Sequence, residues 1–286
     1  MRSLPTPVRD AEADLRLCAR RVRNERRLVI RVRLEDALAQ YDDYVAGRGR
    51  PDAVAASRDW PESSAYFALY DFLGERRALA GLRLELRAAA GGRCLLCSSR
   101  SVDGLDHHLP RSDYPALSIL PVNLVPACAH CNTLKGNNCD PVVARQFVHP
   151  YFDRLPRDQP WLTCEAFDAA GVWSPVFSID DTHILDPETR ARTAWQFDQL
   201  ELADEYHESA VKQVAGRLRE WSTTVRDGGV HTLARQLRLE MMSEADEYGA
   251  NHWKPVVLRG ILADPRFHRD PLPLFGNPRP FPGDWR

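Results

Sequence analysis

Leu15, Cys18 and Val22 recur at helical spacing and predict a helix over residues 9–24. Leu28, Ile30, Val32 and Leu34 then alternate with Val29, Arg31 and Arg33, which favours a short strand, with a continuing helix as the alternative. Leu34, Leu38, Tyr41 and Val45 return to the helical period, and Gly47-Arg48-Gly49 ends it. Residues 50–64 hold two prolines and several small side chains and read as a loop or linker. Ala65 to Leu73 is apolar and aromatic, a buried helix, and Ala80 to Ala90 is a second one closed by Gly91-Gly92.

The pattern changes after Lys135, where Gly136-Asn137-Asn138 breaks the helix begun at Cys128. His149-Pro150-Tyr151-Phe152-Asp153 and a Pro- and Trp-containing stretch follow, with short paired strands expected around Val172 to Ile179. From Pro187 the period is helical. Val211, Val214, Leu218 and Trp221 mark one face; Leu233, Leu237, Met241, Ala245 and Tyr248 mark a second; Trp253, Val257 and Ile261 mark a third. Three such stripes with short connections predict a helical bundle packed on itself. Five prolines after Arg269 predict a tail extended over the surface.

Composition changes this picture little. The 286 residues allow about two domains, and the apolar and charged fractions are those of a globular chain. A net charge of −2 argues against a protein that coats polyanions indiscriminately. The N-terminus lacks an apolar signal core and no run is long enough for a membrane span, so a cytoplasmic location is expected. Arginine greatly outnumbers lysine, which suits bidentate phosphate contacts and equally a GC-rich genome.

Cysteine usage changes it more. Of seven cysteines, four form two Cys-x-x-Cys knuckles, Cys94/Cys97 and Cys128/Cys131, separated by thirty residues. Two knuckles converging on one tetrahedral ion make a structural zinc site. The interval exceeds the common ribbon spacing of about 15–20 residues, as it would if a working hairpin were inserted. Four thiolates leave no open coordination position, so this ion would fold the segment, not catalyse. Structural zinc in small peptide sites is worth roughly 10–16 kcal/mol. Cys18, Cys139 and Cys164 remain over, Cys139 being the rival ligand nearest in sequence, and His130 is expected to be exposed or to meet a phosphate.

Between the knuckles lie Leu105-Asp106-His107-His108-Leu109-Pro110 and Asn123-Leu124-Val125-Pro126, and the second knuckle is followed by Asn132 and Lys135. Residues 90–140, about a sixth of the chain, resemble the HNH endonucleases, whose site reads Asp-His-x-x-Pro, then Asn-Leu-x-x-x-Cys-x-x-Cys-[His/Asn]-x-x-Lys. The resemblance implies a ββα-metal fold, with His107 as general base and Asp106 and Asn132 as ligands of a catalytic Mg²⁺ or Mn²⁺. It makes Asn123 the residue that orients His107 through its loop, and Lys135 is placed to reach a neighbouring phosphate. Asn132 stands where other members have His. His108 doubles the histidine on the opposite strand face and is the alternative base. Arg111, Ser112 and Tyr114 in the following loop are candidate phosphate or substrate contacts. His149, His183, His207, His231, His252 and His268 default to structural or surface roles, with His149 to Asp153 the best candidate for a site-adjacent segment.

The expected fold class is therefore α+β, mostly helical, with a central zinc-stabilised HNH module at 80–147. An N-terminal, mostly helical region, 1–79, and a C-terminal helical domain with a proline-rich tail, 148–286, flank it. The expected activity is metal-dependent hydrolysis of DNA phosphodiesters, with restriction or anti-phage defence as the role by analogy. The alternatives are an RNA-cleaving toxin and a non-catalytic zinc-stabilised binding module. Seven Arg/Lys against five Asp/Glu in 80–147 is a weak grip on a duplex, so the C-terminal helices, a homodimer or a partner protein would supply target choice.

Overall fold

The structure is a computed structural model that describes residues 1–22, 25–184 and 186–276. It is α+β and mostly helical, with two small antiparallel sheets. The chain divides into two compact units, Met1–Leu155 with Asp186–Leu200, and Pro156–Leu185 with Glu201–Arg286. Residues 1–79 and 80–147 thus share one unit, and a helix from the C-terminal half returns to it.

In the first unit α1 (Ala11–Arg21) starts where the Asp10 carboxylate accepts the Ala13 N–H, and it buries Leu15 and Cys18. The alternating stretch after it is not a strand but helix α2 (Glu25–Val32). Ile30 is buried while Leu28 and Val32, four apart, are both exposed, so one helical face carries the burial. A lone strand here would need a partner for its N–H and C=O groups, and no strand among the described residues runs beside it. Next come α3 (Leu34–Ala46), α4 (Ser63–Phe67) continuing as a 3-10 turn over Ala68–Leu73, and α5 (Ala80–Ala89).

The centre of this unit is a hairpin of β1 (Gly104–His107) and β2 (Leu124–Ala127), pairing Asp106 with Val125 and His107 with Leu124, followed by α6 (Ala129–Lys135). Helix α7 (Pro187–Gln199) closes it from the other end of the sequence. The Gln196 amide oxygen accepts the Val148 N–H at 2.8 Å, and Arg192 donates to the Phe147 carbonyl at 2.6 Å while pairing with buried Asp153 at 2.8 Å.

The second unit has its own core. Strands β3 (Leu162–Phe167) and β4 (Trp173–Ile179) pair antiparallel with a register shift between Glu165 and Phe167. Helix α8 (Leu202–Tyr248) breaks at Gly229, whose φ of 76° and ψ of 173° are not helical. Its two arms fold back on each other, with Arg217 Nη2 2.8 Å from Glu240 and Gln236 Nε2 2.6 Å from Glu220. Helix α9 (Trp253–Ala263) lies against β3, and short α10 (Pro265–Arg269) follows. The predicted stripes are present, but they do not pack only on themselves: α8 and α9 cover the β3–β4 hairpin. Gly260 permits this approach, since a Cβ there would stand 2.3 Å from the Cys164 carbonyl oxygen. The described part of the tail is not free on the surface either. Phe275 packs against Phe167, Trp173 and Trp221 with ring centroids 5.3, 5.5 and 5.3 Å away. Its last three prolines lie outside the described residues.

Candidate active site

The Sγ atoms of Cys94, Cys97, Cys128 and Cys131 all lie within 4.8 Å of one another and all four residues are buried. Tetrahedral zinc with Zn–S bonds of about 2.3 Å needs sulfurs about 3.8 Å apart, so the donor set fits a structural ion such as zinc. Local backbone geometry shapes both knuckles. The Arg100 N–H points to Cys97 Sγ at 3.5 Å, and the Cys131 N–H to Cys128 Sγ at 3.4 Å, where Cys128 caps α6. Leu95 N–H donates to the Pro126 carbonyl at 3.0 Å, tying the first knuckle to β2. Cys139 stands apart from the four, its thiol 3.6 Å from the Tyr114 hydroxyl.

His107 ends β1, buried, with Nε2 2.9 Å from the Ser118 carbonyl oxygen. A carbonyl has no proton to give, so Nε2 carries the hydrogen and Nδ1 keeps its lone pair. Burial lowers the pKa of this imidazole to about 4, so it is neutral near pH 7. The loop that supplies the Ser118 carbonyl is pinned by Asn123, which is fully buried. Its Oδ1 accepts the Leu109 N–H at 2.8 Å, and its Nδ2 donates to the Leu109 and Leu117 carbonyls at 3.1 and 3.3 Å. One side chain thereby joins the strand end just past His107 to the residue just before Ser118.

Asp106 is buried beside His107, and its Oδ1 accepts the His107 N–H at 2.7 Å. Burial raises its pKa, and Lys135, with Nζ 3.1 Å from Oδ2, opposes that shift. The contact is a buried ion pair between Lys135 and Asp106. Lys135 also donates to the His107 carbonyl at 2.7 Å. The Lys135 side chain, expected to reach a phosphate, is buried against Asp106 and the His107 carbonyl. Asn132, one turn earlier on α6, is exposed.

Further along the loop, Arg111 is half-buried with its guanidinium carbon 4.0 Å from the Phe67 ring centroid and 4.8 Å from that of Tyr70. Tyr70 lies against His107, ring centroids 4.9 Å apart. Ser112 is exposed, whereas Tyr114 is buried and its hydroxyl donates to the Pro51 carbonyl at 3.4 Å. His108, the alternative base, is buried on the other face. Its ring meets His149 at 4.2 Å, and His149 Nε2 lies 2.9 Å from the Tyr44 hydroxyl. His149 and Asp153 thus form the buried support behind the hairpin, with Asp153 Oδ2 accepting the His149 N–H at 2.6 Å. His130 is half-buried. In the second unit His252 caps α9, and His207 and His268 face the carbonyls of Pro175 and Leu262.

Asp106, His107, Asn123 and Lys135 are thus brought into one network, and Asn132 is an exposed residue of α6 three positions before Lys135. Sequence reasoning missed Ser118, Tyr70 and Phe67. Ser118 acts through its backbone carbonyl, which no residue type announces, and the two aromatics lie outside the cysteine-framed stretch.

No protein-family model matches the chain, and no solved structure matches it. The chain is similar to "Protein ea31" of Escherichia phage lambda, 24% identical over 199 residues, which is 65% of this chain. The match spans 66% of that relative's length.

Proposed function

We propose that the chain is an HNH endonuclease that hydrolyses DNA phosphodiester bonds with the help of a hard divalent cation, Mg²⁺ or Mn²⁺. The observation that carries this reading is His107, with Nε2–H given to the Ser118 carbonyl and Nδ1 left unprotonated. A buried imidazole that is neutral near pH 7 can take a proton from an attacking water. Asn123 fixes the loop that fixes the imidazole, which is the preorganisation such a step needs.

By the HNH resemblance, the oxygen ligands we assign to the cation are the Asp106 carboxylate and the Asn132 amide. They suit a cation that keeps several waters and shares phosphate oxygens. When bound there, the cation would neutralise charge on the scissile phosphate and on the departing 3′ oxygen. Lys135 favours the ionised form of Asp106 by its charge. The zinc frame holds the hairpin and α6 in register and does no chemistry. Restriction or anti-phage defence is the role we attach to the activity, with target choice supplied from beyond the hairpin.

A second reading is favoured by Lys135 itself. A buried ammonium already paired with Asp106 would also suit a zinc-stabilised binding module without a catalytic ion. One experiment separates the two: supercoiled plasmid and structured RNA are incubated with Mg²⁺ or Mn²⁺ and either the wild type or His107→Ala. The expected outcome is a wild type that cuts DNA and a His107→Ala protein that keeps its zinc but loses activity by two or more orders of magnitude. Cutting of RNA alone would transfer the proposal to RNA. Equal activity in both proteins, or loss of zinc from the His107 variant, would overturn the role given to His107.

A further inference from the structure

Arg111 is held in an unusual way for a surface arginine. Its guanidinium sits 4.0 Å from the Phe67 ring and 4.8 Å from the Tyr70 ring, and no carboxylate pairs with it among the described residues. Arg33, which lies 5.6 Å over Trp60, shows the ordinary alternative: it is also paired with Asp36 at 2.8 Å. Aromatic contacts take up the face of a guanidinium and leave its N–H edge, the part that matches two phosphate oxygens, available. Phe67 keeps 39% of its surface exposed, so it is not simply a core residue. Tyr70 is anchored, since its hydroxyl donates to the Leu105 carbonyl on β1 at 2.6 Å, and its ring touches the His107 ring. The rings therefore fix Arg111 relative to the strand that carries the base.

Resting on the nuclease reading of this site, we propose that Phe67 and Tyr70 are positioning residues that hold Arg111 as a clamp on the nucleic-acid backbone beside the cleaved bond. Neither aromatic belongs to the cysteine-framed stretch. The N-terminal region thus supplies part of the substrate grip that the weakly charged hairpin lacks.

The test is a binding measurement on the full chain, independent of cutting. A fluorescent DNA duplex is titrated without divalent cation between about 50 and 200 mM KCl, and zinc content is checked for each variant. Arg111→Ala should weaken binding severalfold and reduce the slope of log affinity against log salt by about one. Phe67→Ala and Tyr70→Ala should each lose part of the same binding, and should add nothing in the Arg111→Ala background. Tyr70→Phe, which keeps the ring but not the hydroxyl anchor, should restore part of what Tyr70→Ala loses. An unchanged salt slope in Arg111→Ala, aromatic losses that add to it, full binding by Arg111→Lys, or no salt-dependent binding by the wild type would overturn the clamp. Cleavage of the same duplex with Mg²⁺ is scored separately. An Arg111-dependent slope in a wild type that never cuts would sink the nuclease reading and leave Arg111 as a backbone contact held by the two rings.

Discussion

Asn123 has both side-chain N–H groups and one acceptance at Oδ1 committed inside the protein, to Leu109 and Leu117. Removing it leaves the buried Leu109 N–H and carbonyl without these partners, at about 1–3 kcal/mol per unmet group, while the Leu117 carbonyl keeps the Leu120 N–H. Asn123→Ala should therefore lower the urea midpoint clearly, and Asn123→Asp should do no better, because a carboxylate cannot donate to the two carbonyls. A midpoint within error of the wild type would show that the loop is not held this way. Buried histidines give a second expectation at this scale. Burial depresses the pKa values of His107, His108 and His149. The unfolded chain binds protons on them near pH 6.5 while the folded chain does not, so stability is present above that pH and falls as pH drops through it. Each histidine contributes a slope of up to about 1.4 kcal/mol per pH unit. His149→Gln should reduce the proton uptake on unfolding between about pH 6 and 5 by roughly one, whatever zinc contributes in both proteins. The histidines could be counted from the residues alone, but their burial could not. His149 gains its setting from Tyr44, His108 and Asp153, which lie far apart in the chain.

Elements show the same division between what is local and what is not. Helices α1, α3 and α5 carry their apolar stripes and stops within ten or so residues, and they were readable. Segment 28–34 satisfies both a period of two and a helical face. Only the absence of a strand beside it among the described residues, a non-local fact, decides for α2. The stripes of α8 and α9 were legible too, but their partner was not, because an apolar face does not say whether helix or sheet will cover it. The contact of α9 with β3 can be tested at Gly260, where a Cβ would fall 2.3 Å from the Cys164 carbonyl oxygen. Backbone cannot yield as a side-chain tip can, so Gly260→Ala should cost about 1–3 kcal/mol despite alanine's better helix propensity. A Gly260→Ala protein with a raised melting temperature would mean that α9 does not rest on β3 at this distance.

Across the whole molecule, stability comes from two sources of different kind. The second unit buries Trp221, Leu233, Leu237, Val257 and Ile261 around its hairpin. The first unit surrounds a hairpin of two four-residue strands, too short to stand alone, and braces it with four clustered thiols. Cysteine spacing made that frame legible, whereas the return of α7 to the first unit had no signal in the sequence, since Arg192 and Gln196 find their partners only in space. A chelator should therefore act unevenly. With zinc on the four thiols, a chelator would take away an ion worth roughly 10–16 kcal/mol in small peptide sites and leave mutually repelling or protonated thiols in its place. Hydrogen exchange should then lose protection across residues 94–135, including β1, β2 and α6, while β3, β4 and α9 stay protected because no ligand lies among them. Cys131→Ser should reproduce the pattern without chelator, and His107→Ala should not. Uniform loss of protection through both units would mean that the second core does not hold without the first. Unchanged protection in 94–135 would mean that the four thiols are not a metal frame.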